Sequence, residues 1–248
     1  MVLRSKHSNV INCQGREIPY ELVRRRRVTR NLYLDLDEKG GLRVIVPQRV
    51  SERSVHRALQ ARQGHILDFM AREREKRQVI PSYQYRQGEK HLYLGASYPL
   101  VLSALQRGAP GGDFDGAKIV LPVRDREAGT VLEALRRWYR HRALQHFQLR
   151  LEHFSAEAEW VGGRVPPLRI RRMKRTTGSC SRSGLITMNP HMVKAPPFLV
   201  DYVIAHEVCH LQEHNHGPGF YRLMDGLYPQ WKEARAELRR DWLIYRAE

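Results

Sequence analysis

From Tyr202 to Leu211 the chain reads Tyr-Val-Ile-Ala-His-Glu-Val-Cys-His-Leu, with His206 and His210 four residues apart and Glu207 directly after the first. Residues four apart share a face of a helix, so two imidazoles there can offer nitrogens to one metal ion. Glu207, beside the first imidazole, is placed to take a proton from a water at that metal. An open catalytic zinc site needs a third protein ligand, and both His214 and His216 follow closely. On a straight helix His206 and His214 would stand about 12 Å apart, eight residues at about 1.5 Å each, too far for one ion to bridge with bonds of about 2.0–2.1 Å. His216 precedes Gly217-Pro218-Gly219, a helix-stopping sequence after which the chain can turn back. The expected metal ligands are therefore His206, His210 and His216, the expected cofactor is Zn2+, and Glu207 is the expected catalytic base. Cys209 points off the ligand face and reads as a small buried filler.

Several elements must position these residues. Pro196 and Pro197 suit the first turn of the metal-binding helix, and Leu199, Val200, Val203 and Leu211 mark its buried side. Upstream, Leu168 to Arg171 and Gly184 to Asn189 read as strands, and Gly178 to Ser181 as a turn. From Gly129, apolar residues recur at three- and four-residue steps (Leu132, Leu135, Trp138, Tyr139, Phe147, Leu151), a helical period that Pro166-Pro167 breaks. The first half is β-rich. Leu32 to Leu36 and Leu42 to Val46 alternate around Glu38-Lys39-Gly40-Gly41 as a hairpin, and further strands are expected at Lys90 to Leu94, Tyr98 to Leu102 and Lys118 to Val123, with a Gly108 to Gly116 loop. One long amphipathic helix, capped by Ser51 and running to about Arg77, carries Val55, Leu59, Ile66, Leu67 and Met70 among arginines. The expected architecture is α+β, with a β-rich part over 1–125 and a second domain over 126–248.

The chain resembles the YgjP-like metallopeptidase-domain family, a group related to SprT-like and other small gluzincin-type zinc hydrolases. The resemblance rests on Gly178-Ser179-Cys180-Ser181, Leu185-Ile186-Thr187-Met188-Asn189, the Tyr202 to Leu211 segment, and Asn215-His216-Gly217-Pro218-Gly219-Phe220-Tyr221 followed by Pro229. The basic N-terminal hairpin and Tyr93-Leu94-Gly95 resemble the family's upstream half. Membership would imply a minimal zincin-like C-terminal domain with an HExxH helix and a small β-sheet, zinc on His206, His210 and His216, and Glu207 as base. Leu185 to Asn189 would offer a strand for peptide binding. One departure is Thr177, where the family usually has tryptophan before its Gly-Ser-Cys.

The whole chain has 248 residues with 43 Lys+Arg against 26 Asp+Glu, a formal charge of +17. Three scattered cysteines exclude a disulfide framework and suit a reducing cytoplasm. No secretory signal or membrane-spanning run is visible, so no membrane partner is expected. The Arg24 to Arg27 run with Arg30, the arginine-rich helix, and Arg136, Arg137, Arg140 and Arg142 could attract nucleic acid non-specifically. Arg171, Arg172, Lys174 and Arg175 could hold triphosphates or nucleic acid. The first expectation is a zinc metalloprotease acting on peptide or protein. The alternatives are a metal-dependent nucleoside triphosphate pyrophosphatase of UTP type and a basic nucleic-acid-associated protein with structural zinc. Tyr221, Tyr228, His191 and Arg172 all stand as candidates to stabilise an oxyanion.

Overall fold

The computed structural model describes residues 9–26, 28, 31–37, 40–78, 80–105 and 111–248. Arg4, Lys6, Arg27, Arg30, the Glu38-Lys39 turn and the start of the Gly108 loop lie outside them. The chain forms two compact units, Met1–Ile80 and Pro81–Glu248, each with its own apolar core. The expected division near residue 125 thus falls inside the second unit. Its physical basis is the packing of strands before residue 125 onto the long helix that follows. The expected class, α+β, is what the chain adopts.

The first unit is a four-stranded sheet with two helices. Strands β1 (Asn9–Cys13), β2 (Arg16–Arg25), β3 (Tyr33–Leu36) and β4 (Leu42–Pro47) lie in the order β1-β2-β4-β3. The β3/β4 hairpin is the expected one, with Tyr33 opposite Ile45 and Leu36 opposite Leu42. Ile18, Tyr20 and Leu22 alternate inward on β2, a period of two that the polar start of the chain conceals. The single helix expected from Ser51 is two, α1 (Glu52–Gln60) and α2 (Gln63–Gln78). Ser51 does cap the first, accepting from the Ser54 N–H at 3.2 Å, but at Ala61 the N–H turns to Arg57 and Leu59 carbonyls and the helix closes.

The second unit is built along α3 (Ala128–Glu157), whose 30 residues span about 45 Å. Ahead of it, β5 (Lys90–Tyr93), β6 (Ala96–Ala104), β7 (Asp113–Phe114) and β8 (Ile119–Val123) form a sheet ordered β5-β6-β8-β7, packed on α3 through Leu100, Leu121, Trp138 and Tyr139. After it, β9 (Leu168–Ile170), β10 (Gly178–Cys180) and β11 (Ile186–Met188) form a sheet ordered β10-β11-β9. A short 3-10 turn over Pro190–Lys194 leads into α4 (Pro197–Cys209), followed by α5 (Pro218–Leu227) and α6 (Trp231–Tyr245). Among the described residues no helix is long and apolar enough to cross a membrane.

Two contacts hold the segment before α4 in place. The Leu94 and Gly95 N–H groups donate to the Val193 and Lys194 carbonyls at 2.8 and 3.1 Å. Gly95 has φ +83°, and a Cβ there would meet Pro196 Cα at 2.9 Å, so only glycine lets the β5/β6 turn seat on the start of α4. Beneath lies a buried polar cluster. Lys194 Nζ donates to the Ala247 carbonyl at 2.8 Å and sits 4.9 Å over the Tyr139 ring. Glu248 pairs with Arg172 at 2.6 Å and Arg136 at 2.7 Å, and approaches His191 at 3.6 Å. Arg172 is therefore engaged within this cluster.

Burial pushes the His91 imidazole down to about 4 against the pull of Glu89, and burial with the Lys194 charge takes His191 down to about 3. Both rings fold as neutral groups, whereas the unfolded chain takes up their protons near pH 6.5. Their contribution is complete above about pH 6.5 and is lost as pH falls from there toward about 4. With a chelator present throughout, the urea midpoint of the protein should drop steadily over that window, and His191→Asn should flatten the drop. A midpoint unchanged between pH 7 and pH 5 would refute this account.

Candidate metal centre

α4 is apolar on almost every side: Leu199, Val200, Val203, Ile204, Ala205, Val208 and Cys209 are all buried. Such a helix must be covered all round, and its few polar side chains mark whatever opening remains. Arg150 on α3 clamps its first half through a two-pronged pair with Asp201 at 2.6 and 3.1 Å. The Trp160 Nε1–H caps its far end, donating to the Val208 carbonyl at 3.1 Å. The helix ends at Cys209, with His210 as its C-cap residue.

The turn back to His216 takes place over residues 210–217. Gly217-Pro218 does not stop α4. It starts α5, with Gly217 as N-cap and Pro218 in the first turn, where its missing N–H is not needed. This tight return brings His216 onto the two helical histidines. His206 Nε2 stands 3.1 Å from His210 Nε2 and 3.1 Å from His216 Nε2, and the ligand atoms of all three lie within 4.8 Å of one another. His214 is exposed and outside the group.

Three ring nitrogens converging in this way fit a metal ion. Two nitrogens bound at about 2.0–2.1 Å to one tetrahedral ion stand about 3.3 Å apart, close to the spacing seen. Hydrogen bonding alone does not account for it, because a single neutral Nε2 cannot serve as donor to one neighbour and acceptor from the other in equivalent contacts. His210 Nδ1 lies 2.8 Å from the Glu213 carbonyl, which fixes the proton on Nδ1 and frees the Nε2 lone pair. Burial, then the His210 and His216 rings and the Arg235 guanidinium, push His206 down to about 3, and burial likewise lowers His210. Both are thereby neutral, the form that ligates a metal.

Phe220, which the motif reading leaves without a role, is the floor of the site. It is buried, and its ring centroid lies 4.8, 4.6 and 4.7 Å from the His206, His210 and His216 rings. The signal for it is positional: an aromatic residue in the first turn of a helix opened by Gly217-Pro218, immediately after the third histidine.

Glu207 is 4% exposed, and burial pushes its carboxyl up to about 8 against the Cys180 backbone N–H, which donates to it. Its Oε2 has no hydrogen-bond partner among the described residues. A buried carboxyl oxygen without a partner is costly and marks a position where a polar group can be received. The segment at Gly178 is strand β10, where a turn was expected, and it presses on this side chain. A Cβ on Gly178 would stand 2.6 Å from Glu207 Oε1. Cys209 is fully buried, as expected for a filler, while burial and the Glu207 charge raise the Cys180 thiol to about 11, so it stays protonated.

The expected peptide-binding strand requires correction. β11, within Leu185 to Asn189, is paired on both sides, antiparallel to β10 and parallel to β9. Its backbone groups are already used, and the edges of this sheet are β10 and β9. Of the candidate oxyanion partners, Tyr228 donates its hydroxyl to the Phe198 carbonyl at 2.9 Å, and His191 and Arg172 belong to the Glu248 cluster. Tyr221 stays in the wall of the metal centre, packed on Phe220 at 5.5 Å.

Residues 30–241 match the sequence profile described as the YgjP-like, metallopeptidase domain. Among solved structures, similarity is found to the metallopeptidase zymogen of Pyrococcus abyssi abylysin, with 26% identity, a TM-score of 0.34, and coverage of 37% of this chain and 90% of that one. The metallopeptidase zymogen of Methanocaldococcus jannaschii jannalysin gives 18% identity, a TM-score of 0.35, and coverage of 39% and 96%. None of the curated protein sequences matches.

If the three imidazoles form the metal site, His216→Ala should retain far less zinc than the wild type after dialysis, and His214→Ala should retain as much as the wild type. Elemental analysis of the three proteins decides this, and equal zinc in His216→Ala would remove that residue from the site.

Proposed function

The chain belongs to the YgjP-like metallopeptidase-domain family, and we propose that it is a zinc-dependent peptidase with His206, His210 and His216 as ligands and Glu207 as general base. The observation that carries this reading is the convergence of three imidazole nitrogens, with the next residue on the same helix, Glu207, buried and one of its carboxyl oxygens without a partner among the described residues. When bound, zinc supplies Lewis acidity that polarises a substrate carbonyl and brings the pKa of a coordinated water to about 7.

The chain's own residues supply the rest. In its ionised form Glu207 accepts the proton of the attacking water and delivers it to the leaving amine, while the Cys180 N–H holds the carboxyl group in place. The three histidines leave a coordination position open, as a catalytic site requires; a structural zinc would normally be closed by a fourth protein ligand. Phe220 holds the ring planes and keeps water from the back of the site. The substrate backbone is placed beside β10, one of the two edge strands of this sheet, next to Glu207, with the Cys180 N–H kept by the carboxyl group. The triphosphate reading receives less support, since Arg172, one of the four basic residues it relies on, is paired with Glu248.

Glu207→Gln should keep one zinc per chain and reduce peptide hydrolysis by about 10²–10⁴-fold. Gly178→Ala should also keep its zinc yet lose much of its activity, because the new methyl displaces the carboxylate. Parallel zinc analysis and peptidase assays on an unfolded protein substrate test both. Full activity in Glu207→Gln would exclude it as the base.

A further inference from the structure

Helix α6 carries three arginines with different surroundings. Arg240 is neutralised by its own helix, pairing with Asp241 at 2.7 Å and Glu237 at 3.9 Å. Arg235 and Arg239, one helical turn apart on a shared face, have neither hydrogen bond nor ion pair among the described residues. Arg235 is half-buried between Ala234 and Leu238, which are buried. Two like charges at this spacing oppose each other, and partial burial removes part of the water that would screen them.

The helix that carries these guanidiniums packs against the helix of the candidate metal centre. One turn before Arg235 the Trp231 ring stacks on Tyr221 at 4.9 Å and 21°. Tyr221 packs on Phe220, and Phe220 lies 4.8 Å from His206. Tyr202, one turn before His206 on α4, has its ring 6.0 Å from that imidazole. The Arg235 charge is felt at both His206 and the Tyr202 hydroxyl, and the Arg239 charge at Tyr202. A cation at this place, unpaired and partly desolvated, is arranged to receive an anion that arrives with the substrate.

We infer that Arg235, supported by Arg239, binds a carboxylate of the peptide substrate next to the His206 edge of the site, and so selects substrates with an acidic side chain or a free C-terminus near the scissile bond. This rests on the peptidase reading. Guanidinium and carboxylate match in planar two-pronged geometry, which makes the selection one of shape as well as charge. Arg235 is a specificity residue in this account, acting on binding of the substrate and not on the proton transfer at Glu207.

The test uses matched peptides that differ only in Glu against Gln at successive positions, or in a C-terminal acid against an amide. The wild type is compared with Arg235→Gln, Arg235→Lys and Arg239→Gln. For the wild type, kcat/KM should favour the carboxylate form by about tenfold or more at one position or at the C-terminus, with the difference residing in KM. That position tells a side chain from a terminus. Arg235→Gln should bring the ratio close to one, and Arg235→Lys should restore part of it. A second measurement does not depend on turnover: tryptophan fluorescence titration of the same peptides against Glu207→Gln protein, with and without Arg235→Gln, should show the same loss of carboxylate preference in Kd. A wild type with no preference, or a preference unchanged in Arg235→Gln, overturns the inference. So does a uniform fall in kcat on acid and neutral peptides alike, which would make Arg235 part of the reaction step. Failure of the wild type to cleave any peptide refutes the peptidase reading, and the titration still decides whether Arg235 recognises a carboxylate.

Discussion

The burial of α4 is the constraint on which the rest of the second unit depends. Its apolar residues cover nearly the full circumference of the helix, so it is stable only when surrounded. α3 closes one side through the Arg150 clamp, the β9–β11 sheet another, and α5 and α6 the remainder. Beyond its exposed first turn at Pro197 and Phe198, the helix is partly open where His206 and His210 emerge. A helix covered nearly everywhere else is thereby a rigid support for these two side chains.

Glu207 is the least comfortable consequence of this design. It lies on the covered part of the helix, beside a histidine on the open part, and its carboxylate sits in an environment that opposes its charge. The structure compensates locally, with one N–H from the edge of β10 and the absence of a side chain at Gly178. The strand that positions the carboxyl group is also an edge strand of its sheet, held in register by β11. Beyond it, α6 packs on α4 and carries Arg235 and Arg239, which have no ion pair among the described residues.

The first unit builds a separate core from Ile11, Leu22, Leu42, Val44, Val55 and Leu59, with its charge outward on α1 and α2. Its described arginines are mostly solvated, as on an ordinary basic surface, though Arg24 is tied to the Val50 carbonyl at 2.6 Å. Part of the basic run to which Arg24 belongs is therefore structural.

The sequence by itself determined what depends on neighbours along the chain. Four-residue spacing put His206 and His210 on one helical face, the prolines at 196 and 197 marked the start of that helix, and period-two and helical patterns located β3, β4, β5, β8 and α3. The preference for His216 over His214 rested on the rise of a straight helix, whereas α4 ends at Cys209 and the turn over residues 210–217 brings His216 to the other two histidines. Tertiary structure decided what depends on partners distant in sequence. Strand β10 is only three residues of small side chains, and it is a strand because β11 pairs with it, not because glycine, serine and cysteine prefer that state. For the same reason the order β10-β11-β9 could not be read from the sequence, and Leu185 to Asn189, expected to offer a strand for peptide addition, is the central strand. The division after Ile80 and the engagement of Arg172 by Glu248 arise between segments tens of residues apart, and the place of Phe220 beneath three imidazoles depends on how α5 folds back on α4. Periodicity reports which face of an element is buried, and only packing reports against what.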